Sequence, residues 1–208
     1  MSILATGSVA GFFEEVVDDA MKARGVSASD GARSYVIALL AELAKPGSPI
    51  ERTLERPLTL LLDEALHTNA LAERFEKLRT LGDGVLYSSG FFADHFEARG
   101  VDSKYVISIG RTAYENAASL LRGHGETSET ESSKSNIDIF GELAQDFAAF
   151  VAVLSEVANA TVAKGVQTSR GVLKLYERWL KTRNERLGEA LASQGFVAAR
   201  RGGGRVLS

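Results

Sequence analysis

The chain predicts an all-α fold, a single multi-helix bundle of about six to eight helices with a long C-terminal antiparallel helical hairpin. Three observations carry this. Apolar residues recur at spacings of three and four over most of the chain, and β-branched alternation is scarce. All three prolines (Pro46, Pro49 and Pro57) fall within one short stretch, leaving long runs free of helix breakers. With 208 residues, 45% of them hydrophobic, a core can form without disulfide or metal staples.

The first helix is expected over residues 8–24. Phe12, Val16, Val17, Ala20 and Met21 make its apolar stripe, Glu14 and Glu15 sit near its start, and Gly25 supplies the stop. Ser27 or Ser29 caps a second helix through Tyr35, Val36, Leu39, Leu40 and Leu43, which Lys45-Pro46-Gly47-Ser48-Pro49 ends. Pro57 suits the first turn of a third helix that turns Leu58, Leu61, Leu62, Ala65 and Leu66 inward. A fourth segment carries Leu71, Phe75, Leu78 and Leu81 and meets Gly82-Asp83-Gly84, where a kink or break is expected.

Residues 81–114 concentrate aromatics, glycines and hydroxyls and read as two helical segments joined by an Arg-Gly-Val-Asp-Ser turn. The second of these starts near Ser103, runs through Tyr114, Ala117, Ala118 and Leu121, and ends near Gly123. Ala23-Arg24-Gly25-Val26-Ser27 and Ala98-Arg99-Gly100-Val101-Asp102 echo each other, and both read as the same helix stop, apolar residue and new cap. Residues 123–135 lack any apolar side chain and form a flexible polar linker between an N-terminal helical part (1–122) and the hairpin (136–195), which packs on the same core. Phe140, Leu143, Phe147, Phe150, Leu154, Val157 and Thr161 predict one helix with a heptad-like seam, capped by Asn136 or Asp138 and stopped by Gly165. Thr168 or Ser169 caps a last helix whose apolar face is Leu173, Tyr176, Leu180, Leu187 and Leu191, with Lys174, Arg178, Lys181, Arg183 and Arg186 on its other sides. Gly195 ends it, and 196–208 is a flexible basic tail.

Composition removes several chemistries. The chain has no cysteine, so disulfides, thiolate metal sites and cysteine nucleophiles are excluded. The formal net charge of −3 weighs against a general nucleic-acid or anionic-membrane binder. Residues 137–162, the most apolar window, are broken by Glu142, Asp146 and Glu156 and do not suit a membrane span. The N-terminus has no basic leader, and a cytoplasmic location is expected.

Candidate sites are sparse. Glu64 and His67 have the Glu-x-x-His spacing of carboxylate-bridged metal bundles, but no second copy follows, so neither a metal nor a cofactor is expected. His95 among Phe91, Phe92 and Phe96, with Tyr87, Tyr105, Arg111 and Tyr114 nearby, is the candidate small-ligand pocket, a haem or an enzymatic site among its variants. Ser88 or Ser89 with His95 and Asp94 or Asp102 lacks the strand-to-helix elbow of a serine nucleophile, and Gly82, Gly84 and Gly90 are not followed by the Lys of a phosphate loop. Phe96, Gly100, Val101, Val106 and Ile109 fit a DNA-reading helix-turn-helix, yet the reading helix offers only Lys104, Ser108 and Arg111 for contacts. Arg200, Arg201 and Arg205 form a candidate arm for an acidic partner. With no coherent catalytic set, the expected function is non-enzymatic, through a protein partner or self-association. A ligand pocket around His95 is the alternative, and DNA binding through the 92–111 corner the third.

Overall fold

The computed structural model describes residues 9–44, 56–125, 139–164 and 169–193. These contain helices and no strand, as the spacing of apolar residues requires. The order is α1 (Val9–Arg24), α2 (Asp30–Leu43), α3 (Leu58–Leu66), α4 (Leu71–Phe91), α5 (Ala93–Ala98), α6 (Ser103–Gly125), α7 (Ile139–Gln145), α8 (Phe147–Lys164), α9 (Ser169–Thr182) and α10 (Glu185–Ser193). Pro46, Pro49, the caps proposed at Asn136, Asp138 and Thr168, the stops at Gly165 and Gly195, residues 126–135 of the linker and the tail 196–208 lie outside the described residues. The chain divides into two compact units, Met1–Glu156 and Val157–Ser208.

Within the first unit, α1 and α2 form a helix pair. Val26 N donates to Met21 O (3.0 Å) while Gly25 takes a φ of 62°, closing α1 with a left-handed residue that only glycine adopts at no steric cost. Ser29 Oγ then caps α2 by accepting from Ala32 N. The second copy of this sequence closes α5 in the same way: Val101 N donates to Phe96 O (3.0 Å), Gly100 has φ 68°, and Asp102 accepts from Lys104 N. The echo in the sequence is thus one capping device used twice. The stripe of α1 is buried at Val16, Val17, Ala20 and Met21, with Phe13 in place of the half-buried Phe12.

α4 is the axis of this unit and makes its most extensive pairing with α6. It does not break at Gly82-Asp83-Gly84 but runs on to Phe91. The physical reason is close packing. A Cβ at Gly82 would overlap the Tyr114 ring of α6, one at Gly90 would overlap Leu154 Cβ of α8, and one at Gly110 would overlap Phe147. Gly82 and Gly90 let neighbouring helices approach the α4 backbone, Gly110 does the same for α6, and that packing offsets the roughly 1 kcal/mol each costs a helix interior.

The single helix expected after the linker is two. α7 and α8 meet at Asp146 with a bend of 86°. The backbone ladder still passes through the bend, since Asp146 N donates to Glu142 O and Phe150 N to Asp146 O. Phe140, Leu143, Phe147, Phe150, Leu154 and Val157 are all buried, but not as one straight seam. The bend lets Phe140 of α7 and Phe147 of α8 both reach Tyr114, at ring-centroid distances of 5.6 and 5.7 Å.

In the second unit the expected last helix is also two, α9 and α10. Arg183 takes a left-handed φ of 51°, and Asn184 caps α10 by accepting from Leu187 N. The turn folds α10 back so that Leu187 and Leu191 pack with Leu175, Val172 and Trp179 of α9 and with Val162 and Ala163.

Candidate functional site

The residues gathered from the sequence as a ligand pocket do not share one surface. Tyr114 is fully buried. Tyr87 stacks on Phe91 (4.7 Å) and meets Phe92 edge-on (5.6 Å). Tyr105 is exposed, and Arg111 lies in solvent paired to Glu115 one turn on, at 2.7 Å. Arg111, Glu115, Ser119 and Arg122 line an open groove with Gly141, Ala144 and Gln145, whereas Tyr114 is buried and is not part of its lining. The side chain of His95 lies outside the described residues, as do Arg200, Arg201 and Arg205. Of the helix-turn-helix positions, Phe96, Val106 and Ile109 are buried, while α5 spans only six residues.

Glu64 is engaged by Arg56, and His67 lies against Asp63 of its own helix. Among the described residues no group of three or more histidine or carboxylate side chains converges as a metal site would require.

A polar centre does exist, and it is sealed. The Asp83 carboxylate, 5% exposed, accepts hydrogen bonds on one oxygen from Tyr35 Oη and Tyr114 Oη, both at 2.7 Å. Phe140 closes on both tyrosine rings. Burial pushes the Asp83 carboxyl up to about 6, against the two tyrosine hydrogen bonds and the nearby Arg79, which pull it down. Burial and the Asp83 charge raise both tyrosines above their usual range. Two phenols holding one carboxylate in an aromatic cage is a way to satisfy a buried charge. It ties α2, α4 and α6 together.

The surface with chemistry to offer is on α9. At 100° per residue, Leu175, Trp179, Val172, Tyr176, Leu180 and Leu173 fill an apolar arc roughly 160° wide. The inner half, Leu175, Trp179 and Val172, packs in the core of the unit. The outer half is open: Leu173 is 56% exposed, and Tyr176 and Leu180 are each 41% exposed. This corrects the expected apolar face, in which Leu173, Tyr176 and Leu180 lay inward with Leu187 and Leu191. Residues 172, 175 and 179 have the same three-and-four spacing as 173, 176 and 180, so periodicity alone does not choose between the two registers.

The polar side of α9 is basic. By helical register Glu177, the one acid on α9, comes next after the exposed stripe, with Lys181 beyond it, and the sequence of the helix adds Arg170, Lys174 and Arg178. Arg178 donates to Asn159 Oδ1 (2.6 Å), satisfying a buried amide, and the Arg183 guanidinium sits 4.6 Å from the Trp179 ring centroid. The charge of the chain is divided along the same line as its units. Residues 157–208 carry ten basic and three acidic side chains, a net +7, whereas residues 1–156 carry 14 basic and 24 acidic, a net −10. The mean of −3 hides two oppositely charged parts. That signal was present in the sequence and is visible only once charge is counted per unit.

No protein-family model, no curated protein and no solved structure matches this chain.

Proposed function

We propose that this protein is a non-enzymatic binding protein whose C-terminal unit holds an anionic partner through the outer face of α9. The observation that carries this reading is the coincidence of the exposed Leu173, Tyr176 and Leu180 stripe with the +7 unit. Exposed apolar groups at helical spacing beside a basic edge supply contact area, and the excess positive charge selects the sign of what binds there. Pairing two copies α9 to α9 would bring like charges together, so a symmetric dimer through this face is disfavoured.

The test is retention on a sulfonate cation-exchange resin at about pH 8 and low ionic strength, where screening is weak. The chain is net negative, yet a segregated basic unit retains it. Lys174→Glu with Lys181→Glu elutes early. Flow-through of the unaltered chain refutes the reading.

A further inference from the structure

The chemistry of α9 narrows the partner, given the reading of the C-terminal unit as the binding element. We infer that α9 is an interfacial helix that lies on an anionic lipid bilayer, with Leu173, Tyr176 and Leu180 in the headgroup region and the net positive charge of the unit drawn to the phosphates. Three features select a lipid surface over a protein.

The first is area. Three side chains, each about half exposed, fall well short of the roughly 800 Å² per partner that a stable protein interface buries. A bilayer needs no such patch, because it adds the attraction of each basic residue near the surface to a shallow apolar insertion.

The second is the form of the helix. An apolar face of leucine and aromatic residues, a lysine- and arginine-rich polar face and low overall hydrophobicity define a helix that rests in an interface and does not cross it. No single helix among the described residues is long and apolar enough to cross a membrane.

The third is the distribution of charge. Basic residues of this unit occur along α9 (Arg170, Lys174, Arg178 and Lys181), at the α9–α10 turn (Arg183) and again at Arg200, Arg201 and Arg205 in sequence, with no acid after Glu189. A spread charge of ten basic against three acidic side chains suits a lipid surface, which has no fixed geometry to match. Nucleic acid is a weaker fit, because the exposed face of α9 presents leucines where a phosphate backbone wants donors.

The experiment is sedimentation of the full chain with vesicles of phosphatidylcholine containing about a quarter phosphatidylglycerol, against phosphatidylcholine alone, with poly-L-glutamate as a third probe. Trp179, the only tryptophan, is half-buried beside the exposed Tyr176 at 6.1 Å and reports the approach of the bilayer through quenching by lipids brominated near the headgroup. The expected result is binding to the anionic vesicles and not to the neutral ones, with Trp179 quenched. Leu173→Ser with Leu180→Ser weakens binding about tenfold and removes the quenching, and Lys174→Glu with Lys181→Glu abolishes binding. Leu173 and Leu180 are exposed, so the serine variant keeps its fold, and an unchanged circular dichroism melt verifies this. Binding to poly-L-glutamate without binding to anionic vesicles overturns the lipid assignment and leaves the anionic-partner reading standing. Binding to neither overturns both. Vesicle binding that is indifferent to the two leucines, with no quenching, also overturns the interfacial helix.

Discussion

At the scale of single residues, Asp83 is the side chain whose chemistry departs furthest from its sequence context. A lone aspartate between two glycines looks like a turn, and nothing in Gly82-Asp83-Gly84 announces a buried carboxylate. Its partners lie 48 and 31 residues away, at Tyr35 and Tyr114, which is why the sequence concealed it. Its carboxyl, at about 6 in the folded chain, lies above the ordinary 3.8, so the folded state holds the proton more tightly than the unfolded one. The resulting stabilisation is complete below about pH 4 and is lost as pH rises through about 6. Asp83→Asn removes this titration. Urea unfolding at about pH 4.5 and pH 7 should show a fall in stability on the order of 2 kcal/mol in the unaltered chain that the variant lacks, while carboxylates common to both cancel. Parallel pH profiles would exclude Asp83 as the source. Gly82→Ala places a methyl group in the Tyr114 ring and is expected to cost about 1–3 kcal/mol in the same assay.

At the scale of elements, helix positions were legible and helix continuity was not. The caps at Ser29, Gly25 and Gly100 and the starts after Pro57 and Asp102 follow from local chemistry, which a short window of sequence contains. Whether a helix runs on or bends depends on what it packs against. α4 runs through Gly82 and Gly90 because α6 and α8 press on it there, and α7 and α8 bend at Asp146 although their apolar spacing never falters. α9 shows the same limit in its facing, since adjacent registers of identical spacing gave no means to choose which leucines go inside. Two substitutions separate packing from propensity. Gly90→Ala drives a Cβ into Leu154, whose backbone lies 3.2 Å away and cannot yield, and should lower stability by about 1–3 kcal/mol. Gly123→Ala in α6 meets nothing within 4 Å and should raise stability by about 0.5–1 kcal/mol. Denaturant melts of the two, if they moved in the same direction, would contradict the close-packing role of α4.

At the scale of the whole molecule, the informative quantity is the separation of charge and not its sum. An acidic helical unit of net −10 precedes a basic one of net +7, and the basic one carries the exposed face of α9. Reading the chain as a mildly acidic protein made anionic partners look unsuitable, because averaging over 208 residues cancels the two signs. The central claim is that the basic unit governs association, and the sign of a salt dependence tests it most directly. Binding to poly-L-glutamate should be measured by fluorescence anisotropy from about 20 to 300 mM salt, a range over which the Debye length falls to below 10 Å. If the C-terminal unit binds, affinity falls as salt rises, even though protein and probe are both net negative. If the mean charge governs, salt relieves repulsion and affinity rises or stays undetectable, and the account is contradicted.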